Sequence, residues 1–288
     1  MNPRPTSLPA ALLISLAAAI TPGGNARAQC ENPTWLPGEG VPGVGGWIGP
    51  GGSAVSPGVF CSVLWDPDGA GPLPQRLVIG GDFVMAGDTP ANSVAMWDGT
   101  TWLPLGNGIP ADHSDAGGLN IGVVAMAVLP NGNLVVAGGF TFADDVPVNS
   151  IAVWDGTSWA DLGGGFTYAA GDAASVLALA VLSNGDLVAG GGFEVAGGTA
   201  ANSIARWNGA SWSAMGNGLR LGVDFGECAA LAVRPNGHLV AGGAFDHAGA
   251  AAVNSIARWN GTGWAAYGAG VTAGGEPGYV GALAVQSN

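Results

Sequence analysis

Residues that could do chemistry are few in this chain of 288 residues. Three histidines (His113, His238, His247), three tyrosines (Tyr168, Tyr267, Tyr279) and three cysteines (Cys30, Cys61, Cys228) could build a metal or radical centre only if the fold gathered them at one point. His238 falls in an Asn-Gly hairpin, at the opposite end of its unit from His113, and this argues against a shared centre. The acid pairs Asp112/Asp115 and Asp144/Asp145 could bind Ca²⁺, but neither lies in the Asp-x-Asp-x-Asp loop that would supply the many oxygens such a site needs. A Gly-x-Ser-x-Gly nucleophile turn is absent. The sequence therefore predicts no enzyme, no cofactor and no metal.

Eight tryptophans are the other binding candidates, since flat aromatic faces stack on sugars. They come in pairs, Trp97/Trp102, Trp154/Trp159, Trp207/Trp212 and Trp259/Trp264, inside four copies of Asn-Ser-(Val/Ile)-Ala-x-Trp-(Asp/Asn)-Gly-x-x-Trp. The copies are spaced by 57, 53 and 52 residues, so each is one supersecondary unit with small loop insertions. A residue that recurs in every unit is explained more simply by packing between units than by four ligands. The recurrent Asn92, Asn149, Asn202 and Asn254 read likewise as loop caps.

The elements that position these residues are short strands. Residues 123–129, 176–182 and 228–234 are apolar on both faces, as a buried strand should be. Each ends in Asn-Gly, which allows positive φ at both residues and marks a hairpin. The second strand covers residues 77–83, 134–140, 187–193 and 239–245, with a glycine at one fixed place (Gly81, Gly138, Gly191, Gly243) that implies a bulge or a close backbone approach. An eight-to-nine-residue loop follows. A third strand then turns at Asp-Gly or Asn-Gly into a fourth, which carries the second tryptophan. Four locally connected strands make an antiparallel meander, and tandem meanders bury both faces only against their neighbours. The expected fold is all-β: a β-propeller of four-stranded antiparallel blades, with four complete repeats and a partial closing blade.

The Gly-Gly and Trp-x-Gly pattern at this period, over about residues 59–285, resembles kelch-type propellers. It is most similar to the kelch-like repeats of the Rax2-like cell-polarity family and related bacterial secreted proteins. The resemblance implies a fold and an extracellular interaction role, not an activity. Copper-radical oxidases of the galactose oxidase type share that propeller, but the spread of the histidines and tyrosines disfavours their chemistry here. Trp-Asp-Gly-Thr-x-Trp also departs from the Asp-box of sialidase-type propellers, because the glycine follows the aspartate directly.

Residues 1–28, with Arg4, an apolar stretch and Ala26-Arg27-Ala28, read as a secretory signal peptide, so the protein is expected to be secreted, extracellular or periplasmic. The apolar stretch is about half the ~20 residues of a membrane span. Cys30 lacks the preceding Leu-small-small pattern of a lipid anchor. Residues 29–58 are expected to hold the outer strand of a closing blade (residues 32–38) and a linker. Residues 59–288 form the repeats, with residues 279–286 as a lone first strand, so the sequence reads as cut short at its C-terminus or as a fragment. Lysine is absent, and the five arginines beyond the signal face twenty acids, which disfavours nucleic acid and anionic membranes. In the repeat alignment Cys61 matches Val124 and Cys228 matches Val123, on opposite strand faces, so both are expected to be buried and structural.

Alternation places both longer connections of every unit at one end. There the copies differ most, and binding residues concentrate on variable loops held by a rigid scaffold. The candidate ligand-binding residues are Asp112, His113, Asp115, Tyr168, Asp172, Arg220 and Asp224. The expected function is a non-catalytic extracellular interaction or surface-scaffold module whose partner is a protein or glycan, the alternative being a carbohydrate-binding, lectin-like propeller.

Overall fold

Tight turns at fixed intervals fold the chain into four antiparallel meanders in the computed structural model, which describes residues 44–45, 58–69, 71–110 and 122–286. The first sheet comprises Gly58–Trp65, Arg76–Asp82, Val94–Trp97 and Trp102–Pro104. The second comprises Gly122–Val128, Leu134–Gly139, Ile151–Trp154 and Trp159–Asp161. The third comprises Ser175–Val181, Leu187–Gly192, Ile204–Trp207 and Trp212–Ala214. The fourth comprises Glu227–Val233, Leu239–Ala244, Ile256–Trp259 and Trp264–Ala266. Strands follow chain order within each of these four sheets, and no helix occurs among the described residues.

The Asn-Gly corners differ from the expected pair of positive φ values. Only the glycine is left-handed, with φ of 88°, 91° and 80° at Gly132, Gly185 and Gly237. Pro130 and Pro235 at the first corner position fix φ near −65°, which suits an ordinary turn and forbids its mirror image. The glycine then closes a three-residue hairpin, with Leu129 N–H donating to Asn133 C=O and Gly132 N–H to Leu129 C=O. Asn131 Oδ1 accepts Asn133 N–H, which fixes the corner further.

The recurrent strand glycine serves both purposes foreseen for it. Each first strand carries one extra residue (Phe60, Val124, Leu177, Ala229), a β-bulge opposite that glycine. A Cβ on Gly81, Gly138, Gly191 or Gly243 would overlap the carbonyl oxygen of Gly58, Gly122, Ser175 or Glu227 across the bulge. The bulge also corrects the cysteine alignment. Cys61 pairs with Gly80 and so matches Ala125, not Val124, whereas Cys228 pairs with Gly243 and matches Val123. The conclusion of opposite faces stands: Cys61 meets Val123 of the next sheet, and Cys228 lies against Gly190 of the preceding one. Burial pushes both thiols up to about 12.

Neighbouring sheets pack first strand against first strand, and three apolar clusters lie between sheets, while a fourth belongs to the first sheet and its own connection. Recurrent side chains tie each junction to main-chain acceptors. The indole N–H groups of Trp159, Trp212 and Trp264 donate to the carbonyls of Leu105, Leu162 and Met215 of the preceding unit, each at 2.8 Å. The hydroxyls of Ser150, Ser203 and Ser255, at φ of 64°, 62° and 61°, donate forward to the carbonyls of Ala174, Gly226 and Gly278. Asn92, Asn149, Asn202 and Asn254 donate to carbonyls fifteen residues on, as capping amides should.

The four sheets remain separate groups of four strands, and no closed ring is formed among the described residues. Residues 1–28, Cys30 and residues 32–38, assigned above to a signal and a closing strand, lie outside the described residues. Residues 279–286 form no strand, in contrast to the expected lone first strand, because no second strand pairs with them. Val280 nevertheless seats against Gly242 as Cys228 does against Gly190, with its N–H donating to Gly243 C=O at 3.0 Å.

Candidate functional site

The connections after each second strand are not plain loops. Each folds back as a two-residue ribbon: Met85–Ala86 on Thr89–Pro90, Phe142–Ala143 on Val146–Pro147, Val195–Ala196 on Thr199–Ala200, and His247–Ala248 on Ala251–Ala252. The chain leaving the preceding fourth strand joins the ribbon's edge, Phe166–Thr167 on Val195–Ala196 and Leu219–Leu221 on His247–Ala248. Both kinds of connection therefore share one end, as alternation required, and main-chain pairing joins them there.

Of the candidate residues, Asp112, His113 and Asp115 lie outside the described residues. Tyr168 and Asp172 bracket one turn, in which Tyr168 N–H donates to Asp172 C=O at 2.9 Å. The Tyr168 ring meets Phe225 of the next connection, with ring centres 5.7 Å apart. Burial, and then the negative charges of Glu227 and Glu194, raise its phenol above the usual range. Arg220 stands opposite both Phe225 and His247 in the register of its small sheet. Asp224 sits at an exposed tip beside Val223, which is 93 % exposed. Tyr168 and Arg220 are thus linked through Phe225, while Asp172 and Asp224 point their turns to solvent.

Concavities open at both ends of the sheets. One, of about 350 Å³, borders Arg220 and Asn217 at this end. The other, of about 360 Å³, lies between the second and third sheets among the tight turns, with half-buried Trp207 beside Asn131, Asn184 and Asp186. The tryptophan pairs pack tilted against each other, with ring centres 5.1–5.4 Å apart and planes 50–59° apart. Sequence reasoning missed Phe225, Val223 and Asn217, although Phe225 and Val223 sit in the segment that differs between copies. Among the described residues no three of His, Cys, Asp and Glu converge as metal ligands would, and no helix is long and apolar enough to cross a membrane.

The class these features define is an all-β, antiparallel tandem-repeat protein. No known family's sequence model matches the chain, and no curated protein matches it. Among solved structures it is similar to PorZ, an essential bacterial surface component of the type-IX secretion system of Porphyromonas gingivalis, at 17% identity and a TM-score of 0.38. That match covers 65% of this chain and 23% of PorZ, so the chain spans about a quarter of that protein. It is also similar to a protein of unknown function from Dyadobacter fermentans, at 16% identity and a TM-score of 0.39, over 72% of this chain and 67% of that one.

Proposed function

We propose that this chain is a secreted, non-catalytic interaction module, a propeller-type stack of sheets presenting a recognition surface at its connection end. One division among its polar groups carries the reading. The recurrent Trp, Ser and Asn side chains bond to the scaffold's own carbonyls, whereas the residues that differ between copies, Tyr168, Arg220, Val223, Asp224 and Phe225, collect on the connections. The propeller arrangement is supported by first strands packing on first strands, by cores that lie between sheets and by the kelch-like repeat. An extracellular or periplasmic location is supported by the likeness of residues 1–28 to a secretory signal peptide, and the acidic charge disfavours nucleic acid.

The test is a screen of the chain against extracellular-protein and glycan arrays, repeated with Tyr168→Ala and Arg220→Ala at one end and Asn184→Ala and Asn236→Ala at the other. Loss from the first pair alone supports the reading, and loss from the second pair alone overturns it. The tight-turn cleft favours a second reading as a sugar-binding module, in which Trp207 supplies the stacking face and Asn131, Asn184 and Asp186 the polar edge. Glycan binding abolished by Trp207→Ala and untouched by Arg220→Ala would select it.

A further inference from the structure

Every fourth strand runs into a short corner, and the corners align as Leu105-Gly106-Asn107-Gly108, Leu162-Gly163-Gly164-Gly165, Met215-Gly216-Asn217-Gly218 and Tyr267-Gly268-Ala269-Gly270. The third residue of each has an N–H that meets no main-chain acceptor among the described residues. In two corners a carboxylate takes it. Asn107 N–H donates to Asp144 on the next unit's ribbon, and Gly164 N–H donates to Asp161 at the end of its own fourth strand, at 2.6 Å.

The third corner has neither acid. Gly249 holds the place of Asp144, since each donates its own N–H to the corner's last carbonyl, Gly218 or Gly108. Ala214 holds the place of Asp161 as the last residue of the fourth strand. Asn217 N–H accordingly has no acceptor among the described residues. Beside it opens the 350 Å³ cavity, bordered by Asn202, Ala214, Gly216, Asn217 and Arg220. Arg220 belongs to this copy alone: the register positions in the other connections hold Pro110, Thr167 and Thr272. Its Nε is buried without an acceptor, and no carboxylate lies within ion-pair distance of its guanidinium among the described residues. The fourth corner has Ala266 in the place of Asp161, but Thr272 rather than an arginine.

We propose that this cavity is a carboxylate-binding site for a small acidic ligand, whose carboxylate fills the place that Asp144 and Asp161 fill in the neighbouring corners and is held by Asn217 N–H and the Arg220 guanidinium. The fold itself supplies the precedent for a carboxylate on that N–H. Arginine supplies the second, charge-assisted arm that an external ligand needs in place of covalent attachment. The site rests on the interaction-module reading only in treating this end as ligand-facing.

The test is a ¹H–¹⁵N NMR titration of the intact chain with sodium acetate and sodium glucuronate at constant ionic strength, with sodium chloride and glucose as controls. The Asn217 amide should shift saturably with both carboxylates and with neither control. Arg220→Ala should weaken binding at least about tenfold, the size expected from one charge-assisted hydrogen bond. Ala214→Asp should weaken it as much with Arg220 in place, because it restores the internal acid of the second sheet at an exposed position. Shifts equal to those from chloride, or binding unchanged in both variants, would overturn the site. A silent titration alongside partner binding still lost in Tyr168→Ala would leave the interaction reading standing. Saturable carboxylate binding alongside partner binding lost only from the tight-turn end would do the reverse.

Discussion

The indole N–H of Trp212 donates to the carbonyl of Leu162 at 2.8 Å, across the junction between the second and third sheets. Trp212 is 5 % exposed. Trp212→Phe keeps most of the ring but leaves a buried carbonyl without its donor, so it should destabilise by about 1–3 kcal/mol. Trp212→Ala also empties the ring's volume and should cost about 3–5 kcal/mol. Urea unfolding measures both. A loss under about 1 kcal/mol for the alanine variant would mean that the ring is not a junction anchor.

Gly191→Ala and Gly192→Ala should behave oppositely despite being neighbours. A Cβ at Gly191 collides with the Ser175 carbonyl across the bulge, while one at Gly192 meets only the Ser175 hydroxyl, at 3.7 Å. The fourth sheet already carries Ala244 at the position of Gly192. The first variant should lose at least about 2 kcal/mol, in the range of strained, overpacked substitutions. The second should lie within about 1 kcal/mol of the parent. Equal melting temperatures would remove the bulge argument.

How much of this was legible in the sequence follows from which groups carry the information. Strand limits and corners were readable because Trp pairs, Asn-Gly and Asp-Gly act locally. The bulge was half-readable: its glycine recurs, but the extra residue opposite it leaves no signature, and the cysteine alignment slipped by one for that reason. The ribbons were not readable, since Leu219–Leu221 joins His247–Ala248 through main-chain bonds that any side chain allows. In the candidate site, Arg220 stood out as an unrepeated residue. Its partner Asn217 did not, because it contributes a main-chain N–H.

Asp98 and Asp155 cap the third-to-fourth-strand turns, and their carboxyls are held down at about 2 by the N–H groups of Thr101 and Thr100 and of Ser158 and Thr157. The unfolded value is near 3.8. A depressed folded pKa contributes stability that is complete above the unfolded value and fades as pH falls from about 4 through about 2. Asn208 and Asn260 make the same turns without titrating. Asp98→Asn with Asp155→Asn should therefore flatten the melting temperature over that window and leave it unchanged in shape above pH 5. Calorimetry at stepped pH values decides this, and an unaltered acid limb in the double variant would refute it.

Cys61 and Cys228, with thiols at about 12, should resist alkylation by iodoacetamide at pH 8 while the chain is folded and react fully once it is unfolded. Peptide mapping by mass spectrometry reads each site separately. Rapid labelling of Cys228 in the native protein would contradict its place between the third and fourth sheets.

The junction bonds share a property that bears on how such a chain changes over time. Every indole and serine donor reaches a carbonyl, belonging to Leu, Leu and Met on one side and Ala, Gly and Gly on the other. A main-chain acceptor is supplied whatever residue stands there, so these bonds add no sequence requirement to the one already set by the apolar packing and by glycines such as Gly190 and Gly242. Units of this kind are interchangeable parts. One could be duplicated, deleted or transplanted between positions with its docking bonds intact, and a single connection could acquire an arginine without any compensating change in the sheets on either side.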